Sequence, residues 1–543
     1  MTSTLPPWPP TLSADSLNSL LELATDYAIA NGVVYRPPAE ARASSPSTTS
    51  AIHAPYSLLP SPFPQQLYNR ALELQPLYNA LYAHVTVADD FLKTVVGQTV
   101  ARVDDFQRRL YQIWTQVVHD GIKQPLHLGL FRSDYLIDAP TSAGLATAGN
   151  ATIKQVEFNT ISASFGCLAT KVADLHRHVW PYLALTGAYP DVPELQPSRI
   201  PRNQALQGLA AGLAAAHRAY GQDSARVLMI TQDNERNAFD QRPLEYELLQ
   251  THAVRMLRIP LSSLRTSLRL SPSGQLLLQH SHSSPDPIEI SVVYWRTGYA
   301  PTDYYTENEW NTRLLVERSL AIKCPTIALQ LAGCKKVQQV LAEPGELDRF
   351  VDRGSTFSQL QPPPIACLDR ASHKPLLESS FTNLYPMDDT ELGKQALRLA
   401  YTMPDRFVLK PQREGGGNNI YRSDIPRALD EMARRDEEAE GQAHSGDASR
   451  PKEREGFILM DLINPPDAQS IMVKAGEGKG VVSDVISELG VYGVCLFKSG
   501  GANGGAEVLV NETVGSLLRT KGKDSNEGGV AVGFSVIDSV TLI

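Results

Sequence analysis

Three consecutive glycines inside Lys410-Pro411-Gln412-Arg413-Glu414-Gly415-Gly416-Gly417-Asn418-Asn419 constrain the fold more than any other stretch of this chain. The segment follows Phe407-Val408-Leu409, a short apolar run with the pattern of a buried strand. Glycine reaches positive φ without a Cβ penalty, so such a loop can bring its backbone close to a ligand. Successive backbone N–H groups in a turn of this kind form a nest for an anion. Lys410 and Arg413 can meet phosphate oxygens, and Glu414 can hold the divalent metal that accompanies them. Strand, lysine, then a glycine loop with an acid reads as a nucleotide-triphosphate site; the competing possibility is a solvated Gly-rich hairpin.

The rest of the chain must supply a fold for that loop. Its 543 residues exceed one small core, and two or three domains of roughly 100–200 residues are expected. With 42% hydrophobic residues a sizeable core can be buried. The net charge of −9 and a pI near 5.8 argue against a protein that coats nucleic acid, so an anion site must be a local gathering of Lys and Arg. Five cysteines (167, 324, 334, 367 and 495) make an odd number without a CxxC pair, which fits a reduced, intracellular compartment. The opening MTSTLPPWPP has neither a basic n-region nor an apolar h-region, so no secretory leader is expected. No run of about 18 apolar residues occurs, so no membrane span is expected.

Residues 1–12 are Pro-rich and read as loose. Ser13 or Ser16 can cap a helix carrying Leu17, Leu20, Leu21, Ala24 and Ala28 on one stripe and ending at Gly32. Residues 36–65 read as a long surface segment, and 66–120 have helical apolar spacing. A strand is expected at 126–130, with Arg132-Ser133-Asp134-Tyr135 just after it. Residues 153–160 alternate, with Val156 and Phe158 facing one way and Glu157 and Asn159 the other. An Ala/Leu-rich helix at 204–220 precedes a buried strand at 226–231, a polar loop at 232–241, a helix near 243–256 and a strand at 290–295. This β-α-β rhythm predicts a compact α/β unit over 225–333, with its ligand loops at the strand ends. The expected division is therefore 1–224, 225–333 and 334–543. Beyond the loop 410–421, a helix is expected around 424–435 and a charged, disordered insert over 436–455. Strands follow at 457–459, 488–497 and 517–521, with a hairpin loop at 500–505.

Common nucleotide and metal signatures are missing. No GxxxxGK[ST] occurs, Gly476-Glu477-Gly478-Lys479-Gly480 does not complete GxGxxG, and HExxH is absent, which leaves His176 and His178 as ordinary helix or loop residues. Glu157 and Asn159, at i and i+2 on one strand face, offer two hard oxygen ligands of the type Mg²⁺ prefers, and Glu414 could complete the set. Two solvated polar residues on an open sheet face explain the spacing equally well. Arg132, Arg296 and Arg519 each lie at or within a strand, where a guanidinium fork suits carboxylates or phosphates. Arg519-Thr520-Lys521 stands out because the Gly-rich Glu527-Gly528-Gly529-Val530-Ala531 follows it. Lys335-Lys336 could add a phosphate cation or cap a helix.

Together these segments closely resemble the eukaryotic-type glutathione synthetase family. The matching stretches are 131–135 (FRSDY), 156–166 (VEFNTISASFG), 235–242 (ERNAFDQR), 296–299 (RTGY), 330–339 (QLAGCKKVQQ), 410–419, 487–490 (SELG) and 518–521 (LRTK), in the family's order. The resemblance implies an α/β protein with α+β layers: a circularly permuted ATP-grasp fold with an inserted α/β substrate-binding domain. It further implies a cytoplasmic homodimer that joins γ-glutamylcysteine to glycine using ATP and Mg²⁺. Carried over by motif, Glu157, Asn159 and Glu414 match the Mg²⁺ ligands. Lys335 and Lys410 match ATP phosphate contacts, with Gly415, Gly416, Gly417, Asn418 and Asn419 as the loop over them. Tyr421, Lys521 and Glu527 match the nucleotide pocket. The backbone of Met460, Asp461, Leu462 and Ile463 would read adenine, and Glu488 the ribose. Arg132, Ser162, Ala163, Ser164, Glu235, Arg236, Asn237, Gln241, Arg296, Thr297, Gly298 and Tyr299 match the dipeptide pocket. Arg519, Val530 and Ala531 match the place where substrate carboxylates and glycine meet, and Arg519, Lys410 and Lys335 would carry catalysis. Thr297, Cys167 and Asp461 depart from the family's pattern. Another carboxylate–amine ligase remains open, because β-alanine differs from glycine by one methylene, a discrimination of about 1–3 kcal/mol. A non-catalytic ATP-binding module on the same fold is the third possibility.

Overall fold

The run LHLGLFRSDYLID forms one strand, β1 (Leu126–Asp138), buried along most of its length. The computed structural model describes residues 7–37, 50–139, 151–186, 196–279, 286–353, 367–442, 450–476, 480–525, 530 and 533–543. The strand expected at 126–130 thus continues through Arg132 and Asp134. A charged pair tolerates a buried strand when its members satisfy one another, and here Arg132 Nε donates to Asp134 Oδ1 at 2.7 Å. The other strands around the site are β2 (Thr152–Asn159), β3 (Arg226–Thr231), β4 (Met256–Pro260), β5 (Ile288–Trp295), β6 (Ile322–Cys324), β7 (Leu384–Pro386), β8 (Phe407–Pro411), β9 (Ile420–Tyr421), β10 (Phe457–Asp461), β11 (Val481–Ser499), β12 (Ala506–Gly522) and β13 (Ser535–Asp538).

A 13-stranded sheet carries β13–β12–β11–β1 side by side, with β2 antiparallel on the other edge of β1. The 225–333 segment supplies β3, β4, β5 and β6, paired in parallel, with the helix Ala238–His252 between β3 and β4. Near-continuous apolar runs such as VLMI in β3 are what a parallel strand covered on both faces requires. β6 pairs with β1 at Lys323↔His127, so this unit is hydrogen-bonded into the sheet of its neighbours. A second, four-stranded sheet has the order β7–β10–β8–β9.

Helices cover the large sheet. On one side Gln65–Thr86 buries Leu74, Leu77, Tyr78, Leu81 and Tyr82, and the Tyr82 ring stacks on Phe158 of β2 with centroids 4.1 Å apart. Each such fully buried side chain contributes roughly 1.5–3 kcal/mol. On the other, Gly166–Leu185 and Ala205–Tyr220 bury Leu168, Val172, Leu209 and Leu213 in a core shared with β11 and β12. The first helix spans Ala14–Ala30; Ser13 caps the Ser16 N–H, and Leu20, Ala24 and Ala28 are its buried stripe. Among the described helices none is long and apolar enough to cross a membrane.

Three local expectations change. Residues 54–59 are not surface: Ala54, Tyr56, Leu58 and Leu59 are core. The helix after the glycine loop runs Asp424–Gln442, so 436–442 of the expected disordered insert is helical. Residues 453–456 form a helical turn, with Glu453 held by Arg435 at 2.7 Å and by the Asp436 carboxylate, so the charges are used in folding; 443–449 lie outside the described residues. Finally, β2 does not alternate simply. A bulge opposite Asp134/Tyr135 leaves Val156 unpaired. Phe158 therefore joins the core under Tyr78 and Tyr82, whereas Val156 packs with Val408, Ile458 and Met460 on the opposite side.

Candidate active site

A cavity of about 1360 Å³ lies between one face of β2–β1–β11–β12 and the small sheet β10–β8–β9. The β2 bulge puts Val156, Glu157 and Asn159 all on the cavity wall. Lys410, on β8, crosses the gap and donates to the Val156 carbonyl at 3.1 Å. Lys335 is the first residue of the helix Lys335–Leu341, and its ammonium lies 3.3 Å from Glu157 Oε2 and 3.1 Å from Glu414 Oε1. The strand acid and the loop acid, 257 positions apart in the chain numbering from 157 to 414, thus share one cation.

Electrostatics separates the two acids. Burial opposes ionisation of Glu157, but Lys335, Lys410, Arg519 and Arg132 overrule it and bring its pKa down to about 2. Burial also raises Glu414, and there Lys335, helped by Lys410 and opposed by neighbouring Glu157, does not offset it. Burial disfavours the charge on Lys335, yet Glu414 and Glu157 outweigh it and hold that lysine above its usual value. Lys410, with its amine in the interior, is lowered by burial. A second cation at the acids would relieve Glu414.

The donor set fits Mg²⁺. Asn159 Nδ2 donates to the Arg132 carbonyl at 3.1 Å and to Asp134 Oδ2 at 3.0 Å. Both partners are acceptors only, which fixes the amide orientation and leaves its oxygen as the ligating end. Two carboxylate oxygens and an amide oxygen, with phosphate and water for the rest, match the way Mg²⁺ is held in phosphate sites. Among the described residues no group of three or more His, Cys, Asp and Glu is gathered as an all-protein metal cluster.

Gly415, Gly416 and Gly417 have φ of 96°, 75° and 77°, a conformation that needs glycine. The root of this loop is fixed: Gln412 accepts the Lys336 N–H at 3.0 Å, and Arg413 pairs with Asp104. Beyond the root, Glu414, the glycines, Asn418 and Asn419 line the cavity. A Cβ on Gly415 would lie 3.5 Å from the ring of Tyr299, so the loop touches the 225–333 unit. Behind it Leu136, Val156, Val408, Met460, Leu462 and Tyr421 form an apolar slot that suits a planar base. Asp461 turns Oδ2 to Asn383 at 2.8 Å, and the Leu462 N–H is taken by the Arg406 carbonyl.

At the other end the charges stand on strands. Arg519 and Glu488 face each other across β12 and β11 and form an ion pair, and Arg519 Nη2 also donates to Asp134 Oδ2 at 2.9 Å. Burial raises Glu488, with Arg519 opposing and Asp134 adding to the rise. Arg132 Nη1 donates to the Ser164 carbonyl at 3.2 Å, and Arg296 Nη2 to Ser164 Oγ at 2.8 Å. Ser162 holds a left-handed φ of 53° and donates to the Trp295 carbonyl. Glu235 accepts from the Asn237 N–H and from Gln241, and Tyr299 OH accepts from Gln232. Ala163, Lys521 and Val530 complete the wall.

Most expected residues therefore meet in one cavity. Arg236, Gln241, Thr297 and Gly298 do not line it: Gln241 is wedged between Glu235 and Arg258, Thr297 is buried, and Arg236 interacts with Arg36. Glu527 and Ala531 lie outside the described residues. Three buried aspartates were not singled out from sequence. Asp240 accepts from the Phe165 and Cys167 N–H groups and from Arg296; Asp303 accepts from the Gly298, Tyr299 and Ala300 N–H groups; Asp134 holds Arg132 and Arg519. For Asp134 a signal existed, an acid two residues from Arg132 on a strand.

A family model described as the eukaryotic glutathione synthase, ATP binding domain, matches residues 14–542. The chain is 36% identical to the glutathione synthetase of Xenopus laevis over 97% of both chains. It is 38% identical to that of Homo sapiens over 96% of both, and 34% identical to that of Dictyostelium discoideum over 97% of this chain and 99% of the other. The apo structure of a glutathione synthetase-like effector from Globodera pallida shares the fold, with a TM-score of 0.68 at 21% identity, covering 98% of this chain and 100% of that one. A mixed α/β molecule whose cavity gathers two acids, two lysines and a glycine loop, and whose sequence matches along nearly its whole length, belongs to the eukaryotic glutathione synthase family of ATP-dependent ligases that make glutathione.

Proposed function

We propose that this cavity activates the cysteinyl carboxylate of γ-glutamylcysteine with ATP and transfers it to glycine. The observation that carries the proposal is the sharing of Lys335 by Glu157 and Glu414, which unites the strand acid, the loop acid and a phosphate-binding cation at one point. The γ-phosphoryl group moves to a carboxylate oxygen and ADP departs. The glycine amine then attacks the acyl carbon, phosphate leaves with the electron pair of the broken C–O bond, and the amine loses its proton to complete the amide. No protein nucleophile is needed; positioning and charge neutralisation carry the rate. Glu157, Asn159 and Glu414 would hold Mg²⁺, which, when bound, supplies charge neutralisation at the phosphates.

Lys335 and Lys410 offset phosphate charge, and the apolar slot beside Met460 receives the base, with Glu488 accepting from the ribose. Arg132, Ser164, Asn237, Arg296 and Tyr299 hold the dipeptide, so the 225–333 unit acts as the inserted substrate-binding part of a permuted ATP-grasp fold. Arg519, with its Nε and Nη1 turned to no described partner, meets the reacting carboxylate. Closure of the loop 414–419 keeps water from the acyl phosphate. A cytoplasmic homodimer completes the proposal and is supported by the family alone. A coupled assay of ADP release tests it: release should require γ-glutamylcysteine and glycine together. Equal release with either omitted would overturn it.

A further inference from the structure

We infer that Asp134 is a positioning residue that aims both substrate-facing guanidiniums, Arg132 and Arg519. This rests on the proposed roles of those two arginines. Asp134 is fully buried at the middle of the sheet. Its Oδ1 accepts from Arg132 Nε at 2.7 Å, and its Oδ2 from Arg132 Nη2 at 2.9 Å, Arg519 Nη2 at 2.9 Å and Asn159 Nδ2 at 3.0 Å. The donors come from three strands: Arg132 from β1 itself, Asn159 from β2 and Arg519 from β12. A carboxylate offers about four lone-pair sites. Three of the four donors converge on Oδ2 and the fourth sits on Oδ1, and the fully buried carboxylate does not line the cavity, so Asp134 acts through its partners.

Two guanidiniums clamped on one carboxylate have a fixed mutual spacing. Only the groups left over, such as Nε and Nη1 of Arg519, can face a ligand. The same carboxylate orients the Asn159 amide, which ties the substrate arginines to the ligands proposed for the metal. The strand between β1 and β12 makes room for this arrangement. Gly490 of β11 stands opposite Asp134, and a Cβ there would come within 2.7 Å of Arg132 Cδ and 2.8 Å of Asp134 Oδ1. The ion pair thus lies flat across a strand that has no side chain at that point.

The test uses the full-length enzyme and steady-state kinetics for all three substrates. Arg519→Gln establishes whether Arg519 matters at all; an unimpaired kcat would sink the proposed function and this inference with it. Asp134→Asn should lower kcat by roughly 10²-fold, the scale of a small misplacement of a reacting group, and raise KM for γ-glutamylcysteine more than KM for ATP, which it reaches only through Asn159. Asp134→Glu should recover part of kcat. In the Asp134→Asn/Arg519→Gln double variant the losses should not multiply, because one substitution acts through the other. With Arg519→Gln impaired, multiplicative losses would reject Asp134 as a positioning residue and leave the proposed function standing. Should Asp134→Asn not accumulate as folded protein, Gly490→Ala carries the decision. It disturbs the pair without removing charge and should give the same split between dipeptide and ATP, and wild-type kinetics in that variant would refute the inference.

Discussion

The two ends of the cavity hold similar charges by different means. Around Arg519, the groups Arg132, Asp134, Glu488 and Arg519 all stand on strands of one sheet and are bonded to one another. Around Lys335, one of the two acids stands on a loop of three positive-φ glycines, rooted at Gln412 and Arg413, and reaches the lysine from there. A strand-borne array is already organised before substrate arrives, which suits an acid that must be held still during attack. A loop-borne acid would gain its full set of partners only with the proposed nucleotide and metal in place, which suits a site that must open for release.

The difference can be broken or sharpened experimentally. Arg519→Ala should cut turnover by roughly 10²–10³ at saturating substrates, as expected for one preorganised electrostatic partner; near-normal turnover would remove the strand-borne end from the chemistry. Glu414→Gln should raise the Mg²⁺ needed for half-maximal ADP release about tenfold or more, the scale for losing a metal-site partner, and an unchanged Mg²⁺ titration would make Glu414 a structural loop residue. Gly416→Ala, at φ 75° with open space around it, should cost about 1–2 kcal/mol of left-handed strain and raise KM for ATP, with kcat for a bound complex less affected. Equal effects on ATP and dipeptide would mean the loop is not confined to the nucleotide end.

A stability measurement addresses Glu157. Its folded-state pKa lies near 2, below the ordinary carboxylate value, so its contribution is present above the unfolded pKa and is lost as pH falls towards 2. Glu157→Gln should flatten the acid slope of Tm between about pH 5 and pH 2; an unchanged slope would place the pairing elsewhere. The smallest effect is expected far from both ends. Arg435→Ala, which removes an exposed pair with Glu453, should cost less than about 1 kcal/mol and leave kcat unaltered.

Local chemistry was legible and long-range pairing was not. The strand before Lys410, the glycine loop, and the shared face of Glu157 and Asn159 follow from composition and period. The β2 bulge leaves no mark in a hydrophobic pattern, so alternation puts Val156 on the same face as Phe158, whereas it lies on the cavity side. The apolar pattern ends the strand at 130, before Arg132 and Asp134, because each alone is costly to bury; their mutual bonds are what let the strand continue through them. Charges at 436–455 suggested disorder until Arg435 and Asp436 met Glu453. Gln241, Thr297 and Gly298 belong to the motifs that form the pocket but stand behind its wall, where they support neighbours such as Glu235 and Gln330.

The pairing of β6 with β1 also limits how the enzyme can flex. Because the 225–333 strands and the arginine-bearing strands are paired in one plate, the proposed dipeptide seat and the proposed attack site would travel together. The opening and closing proposed for the site would then fall to the small sheet and its glycine loop, a jaw set against that plate.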